Sequence, residues 1–354
     1  ESQTLTFRKE SSIIYNGGRT ERIKNLQRRN SAMDFCAGID LGGTFIKYGL
    51  VAEDGRIIEK GKVPTPPGCG YVETLNAIAS AVRGIAEKSG VRIRCAGVGS
   101  PGVIDGARGY VVTSGNLGWE NKPFARDLSA LLGVPATLAN DANAAAFGEY
   151  ICGAGSAYKS VVLVTLGTGV GSGIVLNGEL FEGCEGAGAE LGHEVIRFGG
   201  EKCSCGRRGC FEAYASATAL IRQTKKAMAK DGESSLWQSC GGNPDNVDGK
   251  TAFDAALAGD KTAKRVVNNY LRYLAEGFAN IANAFRPEAI LVGGGISAQG
   301  ESLTVPLQKK VNRLMLGRGR YAPVKILAAM LGNDAGLVGA AMLAKEKKDE
   351  GSNI

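Results

Sequence analysis

The amino-acid order predicts an α/β protein built as two lobes that face each other across a cleft. Three observations carry this expectation. At 354 residues the chain is about twice the usual length of one domain. From Phe35 onward, short apolar runs alternate with stretches of helical spacing. Finally, a unit made of an apolar run, a Gly/Thr turn and a second apolar run opens the folded chain and starts again from Ser160.

The elements follow in order. CAGIDLGGT is an apolar run broken by glycines, and FIKYGLVAEDGRIIEKGKV continues it as a hairpin turning at Glu53-Asp54-Gly55. VETLNAIASAVRGIAEKSG has apolar residues at helical spacing and closes on Gly90. A strand, IRCAGVGSPG, precedes a helix, PFARDLSALLG, and a buried strand, VPATLAND. DANAAAFGEYICG starts a further helix with Asp141 at its beginning. SVVLVTLGTGVGSGIVLNGELFEG then reads as strand, Gly-rich turn, strand and turn. A long helix (TAKRVVNNYLRYLAEGFANIANAF), the strand EAILVGGGIS and a last helix (AGLVGAAMLAKEKKDE) complete the chain. This division places a first lobe at residues 33–140 and a second at 141–330, with 331–354 as a terminal helix.

Composition narrows the function classes. Hydrophobic content of 44% with 22% charged residues is ordinary for a soluble globular protein. The net charge of +7 is unevenly placed: residues 1–32 carry seven Lys/Arg against three acids, leaving 35 against 32 for the rest. So balanced a body makes no case for nucleic-acid binding. The apolar runs fall far short of a membrane span and no leader resembles a signal peptide, so no membrane partner is expected and the expected compartment is the reducing cytoplasm. Nine cysteines, an odd number spread along a long chain, do not look like a secreted disulfide framework. Residues 1–32, polar with a basic run from Arg19 to Arg29, are read as a leader outside the fold, either artificial or a floppy natural extension.

Glycine is abundant, at 52 residues, and clusters at the ends of apolar runs. Asp40-Leu41-Gly42-Gly43-Thr44 joins two strands, which argues against both the Walker loop and the Rossmann fingerprint. Gly42 and Gly43 let backbone N–H groups face an anion, and Thr44 adds a hydroxyl donor. Asp40 repels phosphate and makes sense there only with a cation such as Mg²⁺ between them. The second loop carries Gly167, Thr168, Gly169 and Gly171, placed to cradle the same phosphates from the other lobe. The third, Gly293-Gly294-Gly295, suits a base or ribose pressed on backbone. Any one loop alone would be a hairpin turn. Three in order, each after an apolar strand, point to a nucleotide.

DLGGT, LGTGVGSG, LVGGGIS, ELGHE and CSCGRRGC, in this order, resemble the ROK family of sugar kinases and sugar-responsive repressors, and within it the glucokinase branch. The likeness runs from about Phe35 to near the C-terminus. It implies an actin-like ATPase (ribonuclease H-like) fold, with ATP and a sugar in the cleft. It also implies a last helix packed back on the first lobe, and a homodimer.

The cysteine cluster admits several readings. Three thiols sit within residues 203–210, and the chain's single histidine, His193, lies ten positions upstream. Compartment disfavours a disulfide, Cys203 and Cys205 are too close for an easy bridge, and a redox pair is more typically C-x-x-C. His193, Cys203, Cys205 and Cys210 form a common closed zinc set, and Gly206 and Gly209 let the loop fold tightly. Chance clustering is the bland alternative. The spacing matches the zinc loop of the ROK kinases at every ligand, so a structural Zn²⁺ is expected there. Arg207 and Arg208 either offset its charge or are solvated. Cys36, Cys69, Cys95, Cys152, Cys184 and Cys240 are read as packing or surface residues.

Phosphoryl transfer to an alcohol needs a positioned hydroxyl, a carboxylate and cations on the phosphates. Asp141, at a helix start, would ordinarily be only a cap. Its neighbours Asn140 and Asn143, and the likeness of LANDANAAAFGE to the ROK catalytic segment, imply instead that it is the base. The same resemblance assigns sugar contacts to Glu190, His193, Glu212, Asn116 and Asn140, and a backbone contact to Gly99-Ser100. Glu185 and Glu194 are left as solvated. The expectation is a kinase phosphorylating a hexose with ATP, glucose before N-acetylmannosamine, N-acetylglucosamine or fructose. A ROK repressor needs a DNA-binding module of roughly sixty residues. Only 39 residues precede Asp40, without the apolar pattern, so that reading is disfavoured.

Overall fold

The structure, a computed structural model, describes residues 35–351, so the expected leader at 1–32 lies outside the described residues. The first half opens with β1 (Phe35–Leu41), β2 (Phe45–Ala52) and β3 (Ile57–Pro64), followed by helix α1 (Tyr71–Ser89) and β4 (Ile93–Ser100). A small side sheet of β5 (Val103–Asp105), β6 (Tyr110–Ser114) and β7 (Trp119–Lys122) intervenes before α2 (Phe124–Leu132) and β8 (Ala136–Asn140). Helix α3 (Asp141–Cys152) leads to β9 (Val161–Leu166), β10 (Val170–Leu176) and β11 (Glu179–Phe181). After the cysteine loop come α4 (Glu212–Ala215), α5 (Ala217–Met228), α6 (Leu236–Ser239), α7 (Thr251–Leu257) and α8 (Lys261–Phe285). The chain ends with β12 (Ala289–Gly293), α9 (Glu301–Leu314), β13 (Lys325–Ala328) and α10 (Ala335–Gly351).

The two five-stranded sheets have the orders β3-β2-β1-β4-β8 and β11-β10-β9-β12-β13. In each, the first three strands form an antiparallel meander and the last two join in parallel. The repeat seen in the text is therefore a repeat of topology. Local signals place its corners: α1 stops on Gly90, whose left-handed backbone (φ 63°) lets its N–H bond back to Ala86 and Glu87 carbonyls.

Strand β9 shows why the sheets have two buried faces. Val162, Val164 and Leu166 point into one core with Tyr270, Leu274 and Phe278 of α8. Val161 and Leu163 point the other way, into a cluster with Ala144 and Phe147 of α3 and Leu337 to Ala344 of α10. That cluster also takes Cys36, Val51 and Cys95 from the first sheet, so α3 and α10 are packed between the two sheets. Small residues permit it. A Cβ on Gly97 would run into the Ala340 carbonyl, and one on Gly339 into the Ala144 carbonyl.

One expectation needs correcting here. Cys36 and Cys95, read as packing residues, are joined as a disulfide. The parallel register of β1 and β4 sets them opposite each other with Cα atoms 4.9 Å apart, a pairing invisible to a reading of either strand alone.

Candidate active site

Between the lobes lies a cleft of about 750 Å³. Asp40, Asn116 and Asn140 line it from the first half; Asp141, Gly167, Thr168, Gly169, Gly171, Glu190, His193, Glu212, Gly294 and Gly295 line it from the second. Segments far apart in the chain thus converge on one space.

Asp141 stands at the start of α3, yet the capping is done by its neighbour. The Asn140 side-chain oxygen accepts from the N–H groups of Ala142 and Asn143, and its Nδ2 donates to the Gly102 carbonyl at 3.1 Å. This releases Asp141 from the cap, although its Oδ1 still accepts the Ala142 N–H at 2.8 Å. Burial pushes its carboxyl above the ordinary range, and the charge of Asp40 pushes the same way. Asp40 itself pairs with Lys47 at 2.8 Å across the β1–β2 register. Lys47 also lines the cleft, and sequence reasoning missed it. The signal was there: a turn at residues 42–44 folds position 47 back opposite position 40.

Several predicted residues lie elsewhere than the cleft wall. The Gly42 N–H is spent on the Phe45 carbonyl at 3.0 Å, closing the turn, while Gly43 and Thr44 are exposed at its tip. Gly99 and Ser100 are buried; a Cβ on Gly99 would touch Ala144, and the cleft-facing backbone there is Pro101-Gly102. Gly293 likewise ends inside β12, against Leu163 and Thr165. The reason is common to these two sites. Residues still in a strand are covered by both faces of the sheet, and backbone becomes available only beyond the strand end. Gly294 is that first free residue, with φ 78° and a Cβ position that would collide with Leu166 backbone.

Glu212 links two loops. Its Oε2 accepts the Val170 N–H at 3.1 Å, and its Oε1 accepts the Ser204 hydroxyl at 2.6 Å. The glycine loop is thereby tied to the cysteine loop. In that loop the ligand atoms of His193, Cys203, Cys205 and Cys210 all lie within 4.8 Å of one another. Cys203 Sγ is 3.6 Å from His193 Nδ1, and the Cys205 and Cys210 sulfurs are 3.7 Å apart. Donors about 2.0–2.3 Å from a tetrahedral zinc would be separated by roughly this much. Burial and the neighbouring Cys205 and Cys203 thiols push the Cys210 thiol up to about 12. The donor set fits zinc. With Nδ1 on the sulfur side, His193 keeps Nε2 for another partner, and the residue lines the cleft. Arg207 and Arg208 donate to the His193 and Gly200 carbonyls, stitching the loop shut.

The sequence also gave no hint of the cleft wall formed by Gly332, Asn333, Ala335 and Gly336. Glu149, wholly buried on α3, accepts the Met330 and Leu331 N–H groups at 3.0 and 2.6 Å and so aims that segment at the cleft.

Comparison with known proteins places the chain in a family. The model of the ROK family matches residues 36–347. A glucokinase of Streptomyces coelicolor is 40% identical over 317 residues, covering 89% of this chain and 98% of its own. One of Thermotoga maritima is 40% identical over 313 residues, covering 88% and 97%. The solved structure of a ROK family glucokinase from Streptomyces griseus, in complex with glucose and AMPPNP, matches at a TM-score of 0.75 and 38% identity, covering 88% of this chain and 99% of that one. The fold is the two-lobed actin-like ATPase arrangement.

Proposed function

The chain belongs to the ROK family, and from that premise we propose that it is an ATP-dependent hexose kinase converting glucose to glucose 6-phosphate. The observation that carries the reading is the setting of Asp141. It is a carboxylate released from capping and raised by burial, and it faces a cleft ringed by glycine loops. A raised carboxylate is a better proton acceptor for an alcohol. As the hexose hydroxyl oxygen bonds to the terminal phosphorus and the bond to ADP breaks, Asp141 takes the hydroxyl proton.

Glu190, His193 Nε2, Glu212, Asn116 and the spare N–H of Asn140 would hold the sugar hydroxyls. Gly167 to Gly171 and Gly294-Gly295 would hold the nucleotide. Mg²⁺, when bound, would neutralise phosphate charge. Asp40 and Asp141, whose charges act on each other, suit such an ion. Zn²⁺ at His193, Cys203, Cys205 and Cys210 would be structural, since all four positions are taken by protein. It would order the loop that carries Glu212. A homodimer rests on the family resemblance, and a cytoplasmic location on the residue content, against which the Cys36–Cys95 disulfide stands; no helix among the described residues is long and apolar enough to cross a membrane.

An ADP-release assay across hexoses and N-acetylhexosamines tests the proposal. Glucose should give the highest kcat/KM. Preference for an N-acetylhexosamine would move the substrate, and no turnover with any sugar would remove the kinase reading.

A further inference from the structure

A second concavity, of about 450 Å³, lies in the second lobe behind the cysteine loop, outside the cleft. Side chains of α5 and α8 build most of its walls. Arg222, Lys226 and Lys230 follow one another at four-residue steps along and just beyond α5, and Arg265, Asn269 and Tyr273 do so along α8. Arg197 of the cysteine loop closes one end. Five cations thus meet only two carboxylates, Glu201 and Asp231.

Like charges spaced four apart on a helix repel, and a concavity lined by one sign concentrates the field within it. Local partners relieve little of this. Asp231 lies 4.0 Å from Arg265, while the Lys226 and Lys230 ammonium groups have no partner among the described residues. Arg197 Nη1 lies 3.5 Å from the Tyr273 hydroxyl, so guanidinium and aromatic surface are presented together. The Tyr273 ring packs on Tyr214 with centroids 4.5 Å apart.

We propose that this groove is a binding site for a phosphomonoester, the dianion held by Lys226, Lys230 and Arg265 and the organic body lying against Tyr273. A sugar phosphate and a nucleoside monophosphate share that chemistry. The floor of the groove reaches the active-site loop from behind: Arg222 donates to the Ala213 carbonyl at 2.5 Å, one residue after Glu212, and the Arg197 N–H bonds to the Gly209 carbonyl at 3.2 Å. Resting on the kinase reading, occupancy should therefore shift the KM for sugar more than kcat.

The binding claim stands apart from turnover and is tested first. The full chain is titrated calorimetrically with glucose 6-phosphate, AMP and inorganic phosphate, each with and without excess AMPPNP and glucose to fill the cleft. At least one ester should bind with the cleft ligands present. Lys226→Ala/Lys230→Ala should weaken it about tenfold or more, and Lys226→Arg/Lys230→Arg should restore it. Activity without added ester should be unchanged in both variants. Which ester binds identifies the source. Absence of ester binding, binding indifferent to the alanine pair, or binding of inorganic phosphate with exclusion of both esters would each overturn the proposal.

Discussion

The two halves of the molecule share one sheet order and differ in what is inserted into it. In the first half the insertion between β4 and β8 is the small side sheet with α2, which contributes Asn116 to the cleft. In the second, the insertion between β11 and β12 holds the cysteine loop and five helices, and it supplies Glu190, His193 and Glu212. The first insertion has an ordinary apolar core, with Trp119 and Phe124 stacked 5.7 Å apart beside Tyr71. The cysteine loop brings four donor side chains together, with a small satellite cluster of Cys203, Cys210, Ala213 and Tyr214, edged by Ile196 and Tyr273, behind it. The first insertion should stand on packing alone; the cysteine loop of the second should need a metal.

The largest expected effect lies where the halves meet. Asp141→Asn should lower kcat by about 10²–10⁴-fold while leaving sugar affinity nearly intact. Because burial raises its folded pKa above the unfolded value, Asp141 favours folding when protonated, and that contribution is lost as pH rises through the raised pKa. The variant should therefore melt higher than wild type at neutral pH. Wild-type rate should fall on acidification at a pH above the ordinary carboxylate range. Retained turnover would take the base role from Asp141.

Next comes the metal. Cys205→Ser, or chelation, should raise the KM for hexose on the order of tenfold or more, with loss of one equivalent of zinc by elemental analysis. The first half should keep its hydrogen-exchange protection. If kinetics are unchanged after the metal is gone, the contrast between the insertions fails.

The third effect sharpens what the halves share. Gly97→Val should destabilise by about 1–3 kcal/mol or more, since its Cβ meets the Ala340 carbonyl, which has no room to yield. Gly84, exposed on α1 with open space around it, is the counterpart: Gly84→Ala should stabilise by about 0.5–1 kcal/mol. Denaturant midpoints of the pair should move in opposite directions.

Much of what the structure brings together around the cleft was legible because its signals are local. His193, Cys203, Cys205 and Cys210 span 18 residues, and a loop that short can bring its donors together only in a few ways. The hairpin turn at Glu53-Asp54-Gly55 and the stop at Gly90 are matters of backbone sterics within a few bonds. Glycine loops were harder. Their existence could be read, but not which residue in each emerges from the sheet, so Gly99, Ser100 and Gly293 proved to be buried while Gly102 and Gly294 reach the cleft. Asn140 and Asp141 stand side by side at one helix start, and only the structure shows that Asn140 does the capping while Asp141 lines the cleft.

By itself the sequence determined the alternation of strands and helices, the doubled Gly/Thr unit and the clustering of His193 with three cysteines, because each depends on short stretches of chain. Only tertiary structure decided that Cys36 meets Cys95, that Glu149 holds residues 330 and 331, and that Gly336 sits beside Asp40. It also decided that α10 is buried between two sheets. Such pairings join segments up to nearly 300 residues apart. They are set by how the whole core closes, and no local periodicity records that.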